Sequence, residues 1–230
     1  MNTPDMEVQP PVAAAPAASP TVVIQPPDIA SALPFHEIFD PTRPLEVDVG
    51  CGKGRFLLAR ATAHRDVQFL GIDRQLDRIR KIDRKVIRAG LDNVRLLRLE
   101  ALYSLNFLLP AHSIRTVYVF FPDPWPKRRH HRHRIFSPAF LDVLWSRLVS
   151  GGRIEAATDN LEYFQEIRKI LSADARFHEV PAMERNEAEQ TDFERIFRGQ
   201  GLPIGACAFE TRPAQNPASG IRLQTANEGA

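Results

Sequence analysis

The 230-residue chain has little cysteine and no long apolar run, and both shortages narrow the classes of protein to which it can belong. Its two cysteines, Cys51 and Cys207, are too few for a disulfide framework and lack the spacing of metal ligands. No stretch approaches the roughly 20 apolar residues that a membrane-spanning helix requires. The N-terminus lacks the cationic start and apolar core of a secretory signal. We therefore expect a cytoplasmic protein with no membrane association.

The first 30 residues also lack aromatic residues, lysine and arginine, and they contain seven prolines around an alanine-rich middle. Such a segment cannot bury enough apolar surface to offset the entropy lost on ordering. We predict a disordered Pro/Ala-rich tail over residues 1–30, one folded domain over 31–212 and a flexible polar C-terminal tail over 213–230.

The net charge of +2 conceals an uneven distribution. Residues 1–30 carry three acids and no Lys or Arg, which leaves +5 on residues 31–230. Five permanent cations lie between Lys127 and Arg134, and no acid interrupts them. An acid-free basic run is typical of a surface that contacts phosphates, whereas a solvated, salt-bridged face would contain interleaved acids. The histidines in this run lack nearby carboxylates, so we expect no metal site there.

Strand-like and helix-like patterns alternate from residue 45 onward, which predicts βαβ units and a parallel sheet. The predicted strands cover 45–50, 67–73, 93–100, 114–123, 153–160, 177–180 and 202–211. The predicted helices cover 55–63, 75–90, 137–149 and 161–173. Ligands of such sheets bind beyond the carboxyl ends of the strands, so we expect the chemistry at those ends.

The first strand ends in a glycine-rich turn, Asp48-Val49-Gly50-Cys51-Gly52-Lys53-Gly54. The glycines let the backbone turn tightly and approach a ligand closely. The spacing differs from the dinucleotide pattern G-x-G-x-x-G, and Asp48 would repel a pyrophosphate. A carboxylate here suits a ligand with an ammonium group, such as S-adenosylmethionine; the alternative is a strand-to-helix turn that binds nothing.

The ends of the second, third and fifth strands also carry acids. Asp73 can accept hydrogen bonds from both hydroxyls of a ribose, or it can cap the following helix. Glu100 can accept from the exocyclic amine of an adenine. Asp159 can accept from the edge of a base, or it can be the N-cap of a helix.

The fourth strand end holds Asp123 between Pro122 and Pro124, which restrict the backbone on either side. Rigid placement favours a transfer reaction between two bound molecules. Trp125 follows, and its ring could stack on a base or pack in the core.

Together these residues resemble the bacterial tRNA (guanine-N7)-methyltransferases over about residues 45–210. The most specific match is FFPDPWPK followed by RRHHRHR; DVGCGKG, GID, ATD and TDFE occur in the same order. The resemblance implies a class I S-adenosylmethionine-dependent methyltransferase domain with a Rossmann-like α/β fold. Its mostly parallel sheet would have seven strands, one of them antiparallel, with helices on both faces.

The resemblance also implies a function, the transfer of a methyl group from S-adenosylmethionine to N7 of guanine 46 in the variable loop of tRNA. The implied cofactor-binding residues are Asp48, Gly50, Gly52, Asp73, Glu100 and Asp123, of which Asp123 is also catalytic. The implied contacts to the target nucleoside are Lys127, Asp159, Thr191, Asp192, Phe193 and Glu194. The implied tRNA contacts are Arg129, His130, His131, Arg132, His133 and Arg134. Glu100 departs from the family, which commonly has Asp there.

Other functions remain open on the residues alone. An exocyclic-amine nucleic-acid methyltransferase is one, because PDPW faintly resembles the proline-bracketed aromatic motif of that class. A nicotinamide-dependent dehydrogenase is disfavoured by the glycine spacing and by Asp48. A non-catalytic RNA-binding module explains the arginines but gives the strand-end acids no role. We expect tRNA as the partner and no obligatory protein partner.

Overall fold

The computed structural model describes residues 20–26, 28 and 31–213, which form one sheet with helices on both faces. The strands are β1 (Val23–Ile24), β2 (Leu45–Val49), β3 (Gln68–Ile72), β4 (Val94–Leu97), β5 (Ile114–Phe120), β6 (Leu148–Thr158), β7 (Phe177–Val180) and β8 (Gly205–Thr211). Their order across the sheet is β1-β4-β3-β2-β5-β6-β8-β7. Within the described residues, β8 alone runs antiparallel to its neighbours, β6 and β7. The predicted mostly parallel class I arrangement is confirmed, with eight strands rather than seven.

The helices connect the strands and lie on both faces of the sheet. They are α1 (Phe35–Ile38), α2 (Arg55–Ala63), α3 (Leu76–Arg88), α4 (Ala101–Tyr103), α5 (Pro138–Arg147), α6 (Leu161–Ala173) and α7 (Asp192–Gly199). A π-helical turn covers Ser104–Leu108, and a 3-10 helix covers Arg128–His133. None of the helices in the described residues has the length and apolarity needed to cross a membrane.

The eighth strand, β1, lies in the segment that the sequence analysis assigned to a disordered tail. That prediction is wrong for Val23–Ile24, which pair with Leu96 and Leu97 of β4. Three consecutive apolar residues, 22–24, are partly buried against the core, and this burial favours order despite the surrounding prolines. Residues 1–19 and 214–230 of the two predicted tails lie outside the described residues.

The central strands are buried on both faces, as expected for a parallel sheet covered by helices. On one face α2 and α3 pack through residues such as Leu57 and Ile82, and on the other α5 and α6 pack through residues such as Phe140 and Ile167. At Gly71 a Cβ atom would lie 2.6 Å from Leu57 Cδ2. The close packing of α2 on β3 therefore requires glycine in the Gly-Ile-Asp motif, and this contact positions the start of α2 next to Asp73.

Candidate active site

The carboxyl ends of five adjacent parallel strands each present an acid at one edge of the sheet. In the order β4-β3-β2-β5-β6, these acids are Glu100, Asp73, Asp48, Asp123 and Asp159. Neighbouring strands lie about 4.8 Å apart, so the row spans roughly 19 Å. The chain direction across the sheet reverses between β2 and β5, so Asp48 and Asp123 flank the topological switch point, where such sheets bind ligands.

The turn after β2 has an open concave face. Gly50 and Gly52 adopt left-handed backbone conformations, with φ of 73° and 56°. A Cβ atom at Gly50 would meet nothing within 4 Å, so the space beside this residue is open to a ligand. The amide of Gly52 donates to Asp73 Oδ2 at 3.1 Å, which holds the turn against the end of β3.

Asp48 is a buried carboxylate that has no hydrogen-bond partner among the described residues. It is 5% exposed, and burial, followed by repulsion from Asp73, raises its pKa to about 7. Glu46 lies two residues earlier on the same strand and is equally buried, yet it bonds Arg115 at 2.6 Å and the Tyr118 hydroxyl at 2.7 Å. Asp48 is thus the acid of β2 that an external cation would stabilise.

Asp73 is already engaged by the protein. Its Oδ2 accepts from Gly52 N and from an Arg78 guanidinium nitrogen at 3.2 Å, and its Oδ1 accepts from Gln75 N at 2.8 Å. A carboxylate has about four acceptor positions, so one remains on Oδ1. Acceptance from both hydroxyls of a ribose, as the sequence predicts, would require the Arg78 side chain to move.

Glu100 is the N-cap of α4. Its two carboxylate oxygens accept from Leu102 N at 3.0 Å and Tyr103 N at 2.7 Å, and the side chain remains exposed at the edge of the site. The sequence analysis predicted an adenine-binding role and missed the cap. Each oxygen keeps a free lone pair, so the two roles are compatible.

Asp123 lies in a strained loop over residues 121–125, the proline loop. Phe121 and Trp125 flank the Pro-Asp-Pro segment with φ of 52° and 44°, a region that bulky residues rarely adopt. Asp123 itself is exposed and has no hydrogen bond or ion pair with another described residue. Strain of this kind persists where surrounding structure over-determines the backbone, and it clusters at functional sites.

Trp125 neither enters the core nor stands free. It is 36% exposed, and its ring packs edge-on against His130 at 5.9 Å and tilted against His133 at 5.1 Å. These two histidines therefore hold the tryptophan ring in place by packing against it. Among the described residues no group of histidine, cysteine or acidic side chains could hold a metal ion.

Arg134 is buried, so its predicted role as a tRNA contact is wrong. The side chain is 2% exposed, its Nε donates to Pro124 O at 2.7 Å, and its guanidinium forms an ion pair with Glu166. The same guanidinium lies 4.6 Å from the centre of the Tyr163 ring. Arg134 thus anchors the proline loop to α6, and its burial keeps the side chain away from a phosphate at the surface.

The other cations of the run lie on the 3-10 helix or just before it and are exposed. Lys127, Arg128, Arg129 and Arg132 form no ion pair with a described acid. Arg129 contacts His130 Nε2 at 3.2 Å, which orients one guanidinium. This cationic turn, residues 127–133, begins four residues after Asp123.

Asp159 does not cap α6, which was one of its two predicted roles. Asn160 is the N-cap and accepts from Tyr163 N at 2.8 Å, while Asn160 N donates to Thr158 Oγ1 at 3.1 Å. The Asp159 carboxylate is half-buried and has no partner among the described residues. It is free to accept from a ligand.

The TDFE motif begins a helix rather than lying in a polar connection, as the sequence analysis had it. Thr191 is the N-cap of α7 and accepts from Glu194 N at 3.0 Å. Glu194 is fully buried and bonds Arg185 at 2.7 Å and Arg198 at 2.9 Å. The prediction that Glu194 contacts the nucleoside is wrong, because both oxygens are used inside the protein. The T-x-x-E spacing is a capping-box pattern, and it could have revealed this helix start.

Asp192 and Phe193 remain accessible on the first turn of α7. Phe193 is 52% exposed and its ring lies 6.3 Å from Phe121, next to the strained loop. Arg55, which sequence reasoning missed, donates to Gln190 O at 3.0 Å and thereby joins the start of α2 to the start of α7. The sequence feature that could have identified Arg55 is its position directly after Gly54 of the glycine-rich turn.

The sequence is similar to known methyltransferases over most of its length. A family model described as "Putative methyltransferase" matches residues 42–204. The tRNA (guanine-N(7)-)-methyltransferase of Halorhodospira halophila is 36% identical over 76% of this chain and 78% of its own. The enzymes of that name from Nitrosococcus oceani and Rubrobacter xylanophilus are each 34% identical, over 72% and 73% of this chain and 69% and 77% of their own.

Solved structures show the same fold at low identity. The 16S rRNA methyltransferase KamB superposes with a TM-score of 0.59 at 16% identity, over 77% of this chain and 92% of its own. The aminoglycoside resistance methyltransferase NpmB1 gives 0.55 at 19% identity, over 75% and 89%. The fold and the level of identity to the tRNA-modifying relatives agree with the residues at the strand ends. The chain belongs to the tRNA (guanine-N7)-methyltransferase family.

Proposed function

We propose that the protein transfers a methyl group from S-adenosylmethionine to N7 of a guanine in tRNA, giving 7-methylguanosine, and that this guanine is at position 46. The observation that carries the proposal is the row of strand-end acids beside the cationic turn. The relatives named above share the family, which supports the same reaction here. An enzyme of this kind acts in the cytoplasm, and we propose that it needs no protein partner.

The cofactor end of the site fits S-adenosylmethionine. The open face at Gly50 admits a ligand against the backbone, and the unpartnered Asp48 suits a cationic group. Asp73 and Glu100 retain acceptor positions for ribose and adenine. When bound, the cofactor supplies a methyl group made electrophilic by its sulfonium.

The protein's own groups need to position guanine rather than deprotonate it. Guanine N7 has an in-plane lone pair and no proton, so no general base precedes attack. The product base is cationic, and the unpartnered Asp123 can stabilise the growing positive charge. Asp159 can accept from the N1–H and N2–H₂ edge. Lys127 can contact a phosphate, while Phe193 offers a flat ring to a base turned out of its stack.

The test is a methyl-transfer assay with the full chain, labelled S-adenosylmethionine and unmodified tRNA, followed by nucleoside analysis. We expect 7-methylguanosine as the product, and its loss when guanine 46 is replaced. Labelled N6-methyladenosine would instead identify an exocyclic-amine enzyme. Binding of tRNA without transfer would identify a non-catalytic module, and a thermal shift with NAD but not S-adenosylmethionine would identify a dehydrogenase.

Asp123 provides the sharpest test of the chemistry. Asp123→Asn should lower kcat by about 100-fold or more, the scale of a lost electrostatic contact in a transition state, and change the Kd for S-adenosylmethionine much less. Asp66→Asn is the matched control, because Asp66 is exposed and precedes β3 at the opposite edge of the sheet. Equal losses of turnover and cofactor affinity in Asp123→Asn would reduce Asp123 to a cofactor-binding residue.

A further inference from the structure

A second basic surface lies along α3, away from the cationic turn. The helix contains six cations and two acids within Leu76–Arg88. Its buried face is formed by Ile79, Ile82 and Val86, so most of its charges point outward. Five cations of the helix form no ion pair with a described residue: Arg80, Lys81, Arg84, Lys85 and Arg88.

The two acids of α3 do not neutralise these cations. Asp83 turns toward the N-terminal segment, where it accepts from Val22 N at 2.8 Å and from Thr21 Oγ1 at 3.2 Å. Asp77 forms no ion pair within the described residues. The outer face of α3 is therefore positive along most of its length, which is about 20 Å for 13 residues.

The spacing of the cations lowers the stability of α3. Arg80 and Arg84, Lys81 and Lys85, and Arg84 and Arg88 are like-charge pairs at i,i+4, an arrangement that destabilises a helix. A helix selected only for solvation would alternate acids and bases at this spacing. A bound polyanion would remove the repulsion, so the pattern indicates a surface that meets one.

The surface is continuous with the candidate active site. Lys85 and Arg55 line a cleft of about 380 Å³ between α2, α3 and α7, together with Asp192. Asp192 precedes Phe193, whose ring contacts Phe121 at the start of the strained loop. A long polyanion that reaches the site can therefore extend along α3.

We propose that the outer face of α3, defined by Lys81, Arg84 and Arg88, is a second phosphate-contacting surface that binds the tRNA backbone away from the methylated nucleotide. The proposal rests on the proposed function, because it takes tRNA as the polyanion. Apart from Asp77 in the first turn, the charged side chains of this face are cations, and the face has no exposed aromatic ring, so its contacts are independent of base sequence. It extends the tRNA footprint beyond the cationic turn.

The test compares two charge-matched variants of the full chain. Arg84→Gln/Arg88→Gln removes two cations from α3, whereas Lys169→Gln/Arg212→Gln removes two exposed, unpaired cations from α6 and from the end of β8. Filter binding of unmodified tRNA across a range of salt concentrations gives the slope of log K against log salt. We expect the α3 variant to reduce the magnitude of that slope by about 2, one for each lost phosphate contact, and the control to leave it unchanged.

Steady-state kinetics provides the second readout. The α3 variant should raise the KM for tRNA and leave kcat at saturating tRNA and the Kd for S-adenosylmethionine unchanged. Equal slopes for the α3 variant and the control would overturn the proposal. Binding to anionic phospholipid vesicles is measured for the same proteins. If the α3 variant loses vesicle binding while its tRNA slope is unchanged, the proposal is overturned in favour of a lipid-binding surface. Absence of methyl transfer by the wild-type protein would refute the proposed function, while the tRNA-binding slope would still report on α3.

Discussion

Two acids on one strand show how neighbours decide the role of a residue. Glu46 and Asp48 lie on the same side of β2 and are both buried. Arg115 and Tyr118 satisfy Glu46, whereas Asp48 faces the open turn and the carboxylate of Asp73. Burial without a partner favours the neutral form, so Asp48 is neutral in the folded protein until a cation arrives or the pH rises.

This difference predicts a pH dependence of stability. The pKa of Asp48 rises on folding from 3.8 to about 7, so the folded state binds this proton more tightly than the unfolded chain. Stability should therefore fall as pH rises from about 4 to about 7, by at most about 4 kcal/mol, and then level off. Asp48→Asn should remove this decline, measured by urea unfolding at several pH values with Asp66→Asn as control.

The affinity for a cationic ligand at Asp48 should have the opposite pH dependence to that of stability. The affinity for S-adenosylmethionine should strengthen as pH rises toward 7, because binding must release the Asp48 proton. A pH-independent affinity in the wild type, measured by calorimetry, would place the donor's cationic groups away from Asp48.

At the scale of elements, the proline loop and the 3-10 helix form one unit that begins at β5 and ends at an anchor. Phe121 N donates to Ala157 O at 2.7 Å at one end, and Arg134 bonds Pro124 O and Glu166 at the other. The two arginines near this anchor, Arg132 and Arg134, have the same chemistry but opposite exposure.

The two arginines should consequently fail in different ways when substituted. Arg134→Gln should lower the free energy of unfolding by roughly 3 kcal/mol, because it leaves the Pro124 carbonyl and the partly buried Glu166 carboxylate without their buried cation. Arg132→Gln should leave stability within about 0.5 kcal/mol and weaken tRNA binding. Urea unfolding and salt-dependent tRNA binding on both variants separate the outcomes; a stable Arg134→Gln protein with weakened tRNA binding would restore the original assignment.

The opposite exposure of Arg132 and Arg134 also shows what could not be predicted from the sequence. Strand ends are encoded locally, by apolar runs that stop at glycines, prolines and acids, so Asp48, Asp73, Asp123 and Asp159 could be placed from the chain alone. The burial of Arg134 depends on Tyr163 and Glu166, which lie about 30 residues further along, and no local pattern reports such a contact. Glu194 was misassigned for a different reason: its partners Arg185 and Arg198 lie within nine residues, and the T-x-x-E pattern that starts α7 was not used.

For the whole molecule, the short edge strand β1 and the preceding Val22 connect residues 22–24 to the sheet and to α3. Leu96 N donates to Val22 O at 3.0 Å, and Asp83 of α3 accepts from Val22 N. The apolar residues 22–24 cover the edge of β4 that would otherwise be exposed. The segment was hidden in the sequence by prolines on both sides.

Removal of this strand should destabilise the entire domain. Deletion of residues 1–26 should cost about 1–3 kcal/mol relative to deletion of residues 1–19, which retains β1, because partly buried apolar side chains are lost. Thermal unfolding should show the difference as several degrees in Tm. Identical Tm values for the two deletions would mean that β1 adds nothing to stability.

The anchored proline loop has a further consequence for recognition. Because Arg134 and the two left-handed residues already fix the path of the backbone, little conformational entropy remains to be lost there when a nucleic acid docks. The distance between the cationic turn and Asp123 is then the same before and after binding. That fixed distance can determine which nucleotide of a bound polynucleotide reaches Asp123. Selectivity for one nucleotide would in that case come from this fixed distance in the enzyme rather than from recognition of the flanking base sequence.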